Sequence, residues 1–218
     1  MAKMRTSLPI IALCLGAAAC RGSTPIVNGN PSLGISAVII GGRILLPGGE
    51  TRLGEITVNL EDEGVQGEIY RLRVLPRRAM LYQVEPGSYR LSPTRTFFGS
   101  PNDMLEVRVA GRVFRTPFPR ELLRGASVSV RPKRVVALGV LQARLTKAPG
   151  QEPSLSVSLD DSIEARRRLI ETIIHNMMDT TVPVAERESA ISWTKALDQG
   201  LQDLLTESQR GPLYKLSP

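Results

Sequence analysis

Tyr82-Gln83-Val84-Glu85-Pro86-Gly87-Ser88-Tyr89-Arg90-Leu91 reads as strand, turn and strand. Tyr82 and Val84 alternate with polar neighbours, and Met80 extends the period upstream. A period of two puts such side chains on one face of a strand, the face that meets a core. Pro86 holds φ at about −65° and Gly87 permits a positive φ, so the pair predicts a type II turn. Tyr89 and Leu91 resume the alternation, with Tyr89 placed to cover the end of a sandwich.

The same period runs outward in both directions. Ile35, Ala37 and Ile39 alternate, as do Ile56, Val58 and Leu60, then Tyr70, Leu72 and Val74. Downstream come Leu105, Val107 and Val109, then Val128 and Val130. The apolar stretch 135–145 predicts a longer, central strand, and Leu155, Val157 and Leu159 one more. Turn signals separate these runs: Gly41-Gly42, Pro47-Gly48-Gly49, Glu63-Gly64, Ala110-Gly111 and Arg124-Gly125. Short strands at close spacing, without interleaved helices long enough for parallel crossovers, predict an antiparallel β-sandwich over residues 33–159. The stretch 82–91 resembles the strand-turn-strand of transthyretin-like and carboxypeptidase-regulatory-like sandwiches, in which an apolar strand ends in Pro-Gly and an aromatic restarts the next. That resemblance implies a fold and carries no activity with it.

Lys147-Ala148-Pro149-Gly150-Gln151-Glu152-Pro153 breaks the strand pattern, and a helical period follows. Asp161 with Glu164 has the spacing of a capping box. Ile163, Ile170, Ile174 and Met177 fall on one face, with Leu169 and Ile173 beside them, while Arg166, Arg167 and Arg168 are expected to point mostly outward. A second helix, with Pro183 near its start, carries a stripe of Ile191, Thr194, Leu197, Leu201, Leu204 and Leu205. A helical hairpin over residues 160–206 and a tail over 207–218 follow. Two helices alone bury too little surface to stand free in water. Trp193, Leu197 and Leu201 are the candidate docking residues, because a lone Trp beside an apolar stripe is a large anchor.

The amino end carries a different signal. Lys3 and Arg5 precede an apolar run from Leu8 to Ala19, interrupted only by Pro9. A bilayer-spanning helix needs about 20 apolar residues, so this run is too short to span and has the form of a signal peptide over residues 1–19. Ala17-Ala18-Ala19-Cys20 resembles the lipobox of bacterial lipoproteins, with Ala17 where the commonest form has Leu. The resemblance implies cleavage before Cys20, a diacylglycerol on its thiol and acylation of the new amino end. Arg21 stands where an Asp commonly marks inner-membrane retention, which implies an outer-membrane anchor facing the periplasm. The alternative is ordinary secretion, since Ala17-Ala18-Ala19 is also a small-residue cleavage site. Residues 20–32 are rich in Gly, Ser, Thr, Asn and Pro and read as a tether between lipid and fold.

Composition narrows the chemistry. The net charge of +7 is uneven: residues 33–150 hold 18 basic and 10 acidic side chains, and residues 151–218 hold 7 and 11. Either the halves neutralise one another, or a basic face turns toward anionic lipid or an acidic partner. Arg77 and Arg78, with Arg131, Lys133 and Arg134, are the candidate basic patch, weighed against ordinary strand-end charge. Nucleic acid is not expected as the partner of an exported lipoprotein. His175 is the only His and lies on the first predicted helix, where a packing role is expected over a base. Cys14 and Cys20 are the only Cys, so no zinc ligand set and no internal disulfide are expected. Glu61-Asp62-Glu63 lacks calcium-loop spacing and is expected to be a solvated turn, and Asp160-Asp161 a helix cap. No cofactor is implied.

Three functions remain. The first is a non-catalytic envelope lipoprotein, a structural or assembly component of a periplasmic or outer-membrane complex, with an envelope protein or a second copy as partner. The second is a ligand-binding lipoprotein whose basic sandwich holds an anionic lipid or glycan. The third is an enzyme, such as a glycan hydrolase, using clustered inward-facing carboxylates.

Overall fold

The computed structural model describes residues 36–64, 69–93, 104–125, 127–147, 150, 152–178 and 187–210. The elements in chain order are β1 (Ser36–Leu46), β2 (Gly49–Thr51), β3 (Glu55–Asp62), β4 (Ile69–Val74), β5 (Ala79–Val84) and β6 (Gly87–Ser92). Then come β7 (Met104–Val109), β8 (Arg112–Pro117), α1 (Arg120–Gly125), β9 (Val128–Val130), β10 (Val135–Thr146), β11 (Ser154–Asp160), α2 (Ile163–Met177) and α3 (Arg187–Arg210). The chain is mainly β, with two mostly antiparallel sheets followed by a helical segment.

The first sheet runs β11-β10-β1, and the far side of β1 is shared end to end by β5 along Ser36–Gly41 and β2 along Ile44–Leu46. The second sheet centres on β3, with β4 on one side and β6 and β7 on the other, continued by β9 and β8. Between the sheets lie Val38, Ile40, Ile56, Val58, Leu60, Leu72, Leu91, Leu105, Val107 and Leu141, all buried. The period-2 positions of β3, β4, β6, β7 and β9 point into this core.

The first sheet is buried on both faces, and that changes the reading of β1. Ala37 and Ile39 turn away from the sandwich and meet α2 and α3, while Val38 and Ile40 fill the sandwich. β5 divides in the same way, with Leu81 toward the helices. A strand buried on both faces is apolar throughout, so alternation cannot tell which face meets which partner. β10 needs a further device. A bulge at Leu138-Gly139, opposite Ile39/Ile40, shifts the register, so Ala137 and Val140 face the helices while Leu138, Leu141 and Ala143 face the sandwich. Gly139 has φ +130°, and a Cβ there would fall on the Asp160 carbonyl oxygen.

Four local expectations are corrected. β1 and β10 pair in parallel, because the second sheet rather than a helix fills the long crossover between them. Gly41-Gly42 is not a hairpin turn: both lie inside β1, where a Cβ on Gly41 would stand 2.6 Å from Leu169 Cδ2 and one on Gly42 would stand 2.7 Å from the Leu75 carbonyl oxygen. Arg124-Gly125 ends the short helix α1. Pro86-Gly87 is not a hairpin turn, because β5 pairs in the first sheet and β6 in the second. Gly87 does not take a positive φ. The chain turns a corner between sheets there, and the Tyr89 hydroxyl pins it by donating to the Glu85 carbonyl at 2.6 Å. The Tyr89 ring is fully buried and meets Tyr70 edge to face, centroids 5.8 Å apart.

α2 starts one residue later than the capping-box reading. Ser162 is the N-cap, its Oγ accepting from the Ala165 amide at 3.3 Å, and Asp160 Oδ1 accepts from the Ser162 amide at 3.2 Å. Leu169, Ile170 and Ile173 are buried, whereas Ile163 is exposed. On α3 Trp193, Ala196, Leu197, Gly200 and Leu204 are buried, with Leu201 partly buried; Ile191 and Leu205 are exposed. The hairpin stripe is therefore covered by the chain's own first sheet, which removes the need for an outside partner to cover it. Each fully buried Leu or Ile stabilises the packing by roughly 2 kcal/mol. Arg166 does not point outward: its Nε donates to the Ala137 carbonyl of β10 at 3.1 Å and its two Nη groups grip Glu207 of α3 at 2.9 Å each. The expected helix end at Asp179-Thr180-Thr181, Pro183 and the tail lie outside the described residues.

Candidate functional site

The predicted basic residues are split between two places. Arg131, Lys133 and Arg134 form the link from β9 to β10, at the Ser36 end of β1: Ser36 Oγ donates to the Arg131 carbonyl at 2.8 Å, and the Ala37 amide to the Arg134 carbonyl at 3.0 Å. Arg77 and Arg78 link β4 to β5 beside Gly41 and Gly42. About five residues of β1 separate the two groups, roughly 17 Å. They are not one patch.

Arg77 and Arg78 instead join a cleft between the end of the first sheet and α2. Its volume is about 370 Å³. Gly41 and Gly42 form the floor, Arg43 and Gln142 are neighbours across β1 and β10, and Arg168, Leu169 and Thr172 of α2 form a wall. The Arg77 backbone is left-handed, φ 57°, and its amide donates to the Gly42 carbonyl at 2.8 Å, which fixes the turn to β1. Glu50 of β2 accepts two cations, Arg77 Nε at 3.3 Å and Arg43 Nε at 3.5 Å. Arg168 pairs along its own helix with Glu164 at 2.8 Å. Arg78 makes no side-chain hydrogen bond or ion pair among the described residues. Arg43, Glu50, Gln142 and Arg168 were not singled out in the sequence. They are scattered over four elements, and the one local signal, Gly41-Gly42, has the form of a turn.

A second polar surface covers the outer face of the second sheet. Ion pairs cross its strands: Arg73 Nη2 to Glu55 at 2.9 Å, Arg115 to Glu106 at 2.9 Å and Arg90 to Glu61 at 3.5 Å. Burial by itself would raise the Glu55 pKa, but hydrogen bonds from Arg73 and Thr57 and the charges of Arg73 and Arg108 outweigh it and hold the carboxyl below its ordinary value. Arg71 and Arg108 line a hollow of about 410 Å³ on this face and form no ion pair among the described residues. Exposed pairs of this kind contribute about 0–1 kcal/mol each, so the row is a pattern of charge more than a source of stability. Tyr82 ties the sheets together at the rim: its hydroxyl accepts from the Arg73 amide at 2.9 Å and donates to the Arg73 carbonyl at 2.7 Å. Burial is the main reason its phenol pKa is raised.

The remaining candidates have structural surroundings. Trp193 is 1% exposed in the layer between α3 and the first sheet, with Leu197 fully buried beside it. His175 is exposed in the last turn of α2, so it is not a packing residue. Glu61-Asp62-Glu63 is not a solvated turn: Glu61 and Asp62 belong to β3, Asp62 accepts from the Gly64 amide at 2.8 Å, and Glu63 accepts from the Ser127 hydroxyl at 2.9 Å. Among the described residues no group of three or more His, Cys, Asp or Glu is placed to hold a metal ion, and no helix is long and apolar enough to cross a membrane. One ion pair between described residues joins the basic body to the acidic tail, Arg134 to Asp203 at 3.7 Å. Cys20 lies outside the described residues. No protein-family model matches the chain, and no curated protein does.

Proposed function

We propose that this chain is a non-catalytic lipoprotein of the bacterial envelope, anchored through lipid on Cys20, which presents the outer face of its second sheet to an acidic protein partner in an assembly. The anchor rests on Lys3 and Arg5, the apolar run to Ala19 and Ala17-Ala18-Ala19-Cys20. Residues 21–35 would tether that lipid to β1, the central strand of the first sheet, with a reach of at most about 50 Å.

The observation that carries the assembly role is the asymmetry of the two sheets. Two helices cover the outer face of the first. The outer face of the second carries Arg71, Arg73, Arg90, Arg108 and Arg115 against Glu55, Glu61 and Glu106, and no described helix lies over it. A face with excess guanidinium suits an acidic surface, because Arg forks pair with carboxylates bidentately. The test is photocrosslinking in isolated membranes from a photoreactive residue at Val113, which is exposed and lines the same hollow as Arg71 and Arg108, comparing the parent with the double variant R71E/R108E. A specific crosslinked species present in the parent and lost in the variant supports the reading, and a pattern unchanged by charge reversal overturns it. A crosslink between two copies would identify self-association.

A further inference from the structure

We propose that the cleft between the first sheet and α2 is a binding site for a phosphate group, held chiefly by Arg43, Arg77 and Arg78. Arg43 of β1 and Arg77 and Arg78 of the link before β5 line one end of it, and Arg43 and Arg77 meet at Glu50. The one carboxylate paired with them among the described residues is Glu50, which Arg43 Nε and Arg77 Nε approach at 3.5 and 3.3 Å. Arg78 has no anionic partner among the described residues. That end therefore has three cations to one anion, in a hollow large enough for a small ligand, about 370 Å³.

The number of donors selects the anion. Each guanidinium offers five N–H groups in a rigid fork. A carboxylate, with two oxygens, cannot engage three forks side by side, whereas a phosphate presents three oxygens around one centre. Glu50 then occupies in the free protein part of the space that the phosphate takes in the complex. Asp160 lies on the opposite wall, across β1, β10 and β11 from Arg77 and Arg78. Three strand spacings put it roughly 14 Å away, so it does not compete for the same cations. Gly41 lets Leu169 of α2 close down on β1 and wall the cleft on its helix side. This site is on a different surface from the arginine face of the second sheet and stands whether or not Cys20 is acylated.

Three free oxygens mark a phosphate monoester, which is found on soluble esters and on the lipid phosphatidic acid, and the experiment separates them. The purified full chain is titrated calorimetrically with inorganic phosphate and with glycerol phosphate. The Cys20→Ser chain is titrated with phosphatidylcholine vesicles with and without phosphatidic acid. Saturable binding of a soluble probe that Arg78→Ala weakens about tenfold, the loss of one charge-assisted contact, assigns a soluble phosphate ester. Binding only to the phosphatidic acid vesicles, with the same dependence on Arg78, assigns a lipid headgroup. Glu50→Gln removes the competing carboxylate and should tighten binding several-fold, a gain that a misfolded variant cannot mimic. Lys133→Ala, at the other end of β1, should leave binding unchanged. Absence of binding, binding indifferent to Arg78→Ala, or equal weakening by Lys133→Ala overturns the proposal.

Discussion

Gly200 sits in the middle of α3, and replacing it with Ala separates a docked helix from a free one by the sign of the effect. In an isolated helix Ala is favoured over Gly by about 1 kcal/mol, so Gly200→Ala would stabilise. In this fold Gly200 is buried, and a Cβ there would stand 2.8 Å from the Val135 carbonyl oxygen of β10. That neighbour is backbone and cannot rotate away. The helix must lift by several tenths of an ångström, and Trp193, Ala196 and Leu197, buried on the same helix, lift with it. Overpacking of a filled core costs about 1–3 kcal/mol, and a clash with backbone lies in the upper part of that range, about 2–3 kcal/mol, so after the propensity gain of about 1 kcal/mol the net change is a loss of about 1–2 kcal/mol. For a chain of this size that lowers the Tm by roughly 2–8 °C. The assay is thermal unfolding followed by far-UV circular dichroism and by Trp193 fluorescence, which should report one shared transition. A raised Tm, or fluorescence changing well before the sheets unfold, would refute the packing of α3 on β10.

Two further outcomes follow from local geometry. Ala110 and Gly111 both have positive φ, 47° and 77°, as a two-residue type I′ hairpin requires, and Asn suits the first position better than Ala. Ala110→Asn should therefore raise stability by about 0.5–1 kcal/mol in urea unfolding, and a loss would contradict the turn. The Glu55 carboxyl has a folded pKa below its ordinary 4.5, so its stabilisation is present above that value and is lost as pH falls through the folded pKa. Glu55→Gln should flatten the decline of stability as pH falls below about 4.5, and unchanged acid sensitivity would show that the Arg73 contact does not hold in solution.

How far the sequence could be read depended on how many faces each element buries. β4, β6 and β7 bury one face, so Leu72, Leu91 and Val107 were legible as core, and in β3 the residues buried on the opposite face, Thr57 and Asn59, are polar, which left Ile56 legible too. β1 and β10 bury two, and Ala37 and Ile39 could not show that their partner is a helix. Gly41-Gly42 looked like a turn because glycine required for close approach is the same residue as glycine required for positive φ. Arg166 looked like surface charge, since its bond to the Ala137 carbonyl and its grip on Glu207 depend on elements distant in the chain. The candidate phosphate site was legible only in Arg77 and Arg78. Arg43, Glu50 and Arg168 reach it through the registers of β1 and β2 and the seat of α2, none of which has a local signature.

The anchor is the claim on which the proposed location and assembly role both rest. Labelling cells with a palmitate analogue and fractionating them tests it directly, with the parent compared against Cys20→Ser. The account predicts a labelled parent in the membrane fraction and an unlabelled variant released into the soluble fraction. A parent without label, or a Cys20→Ser chain that keeps it, would contradict the lipid on Cys20.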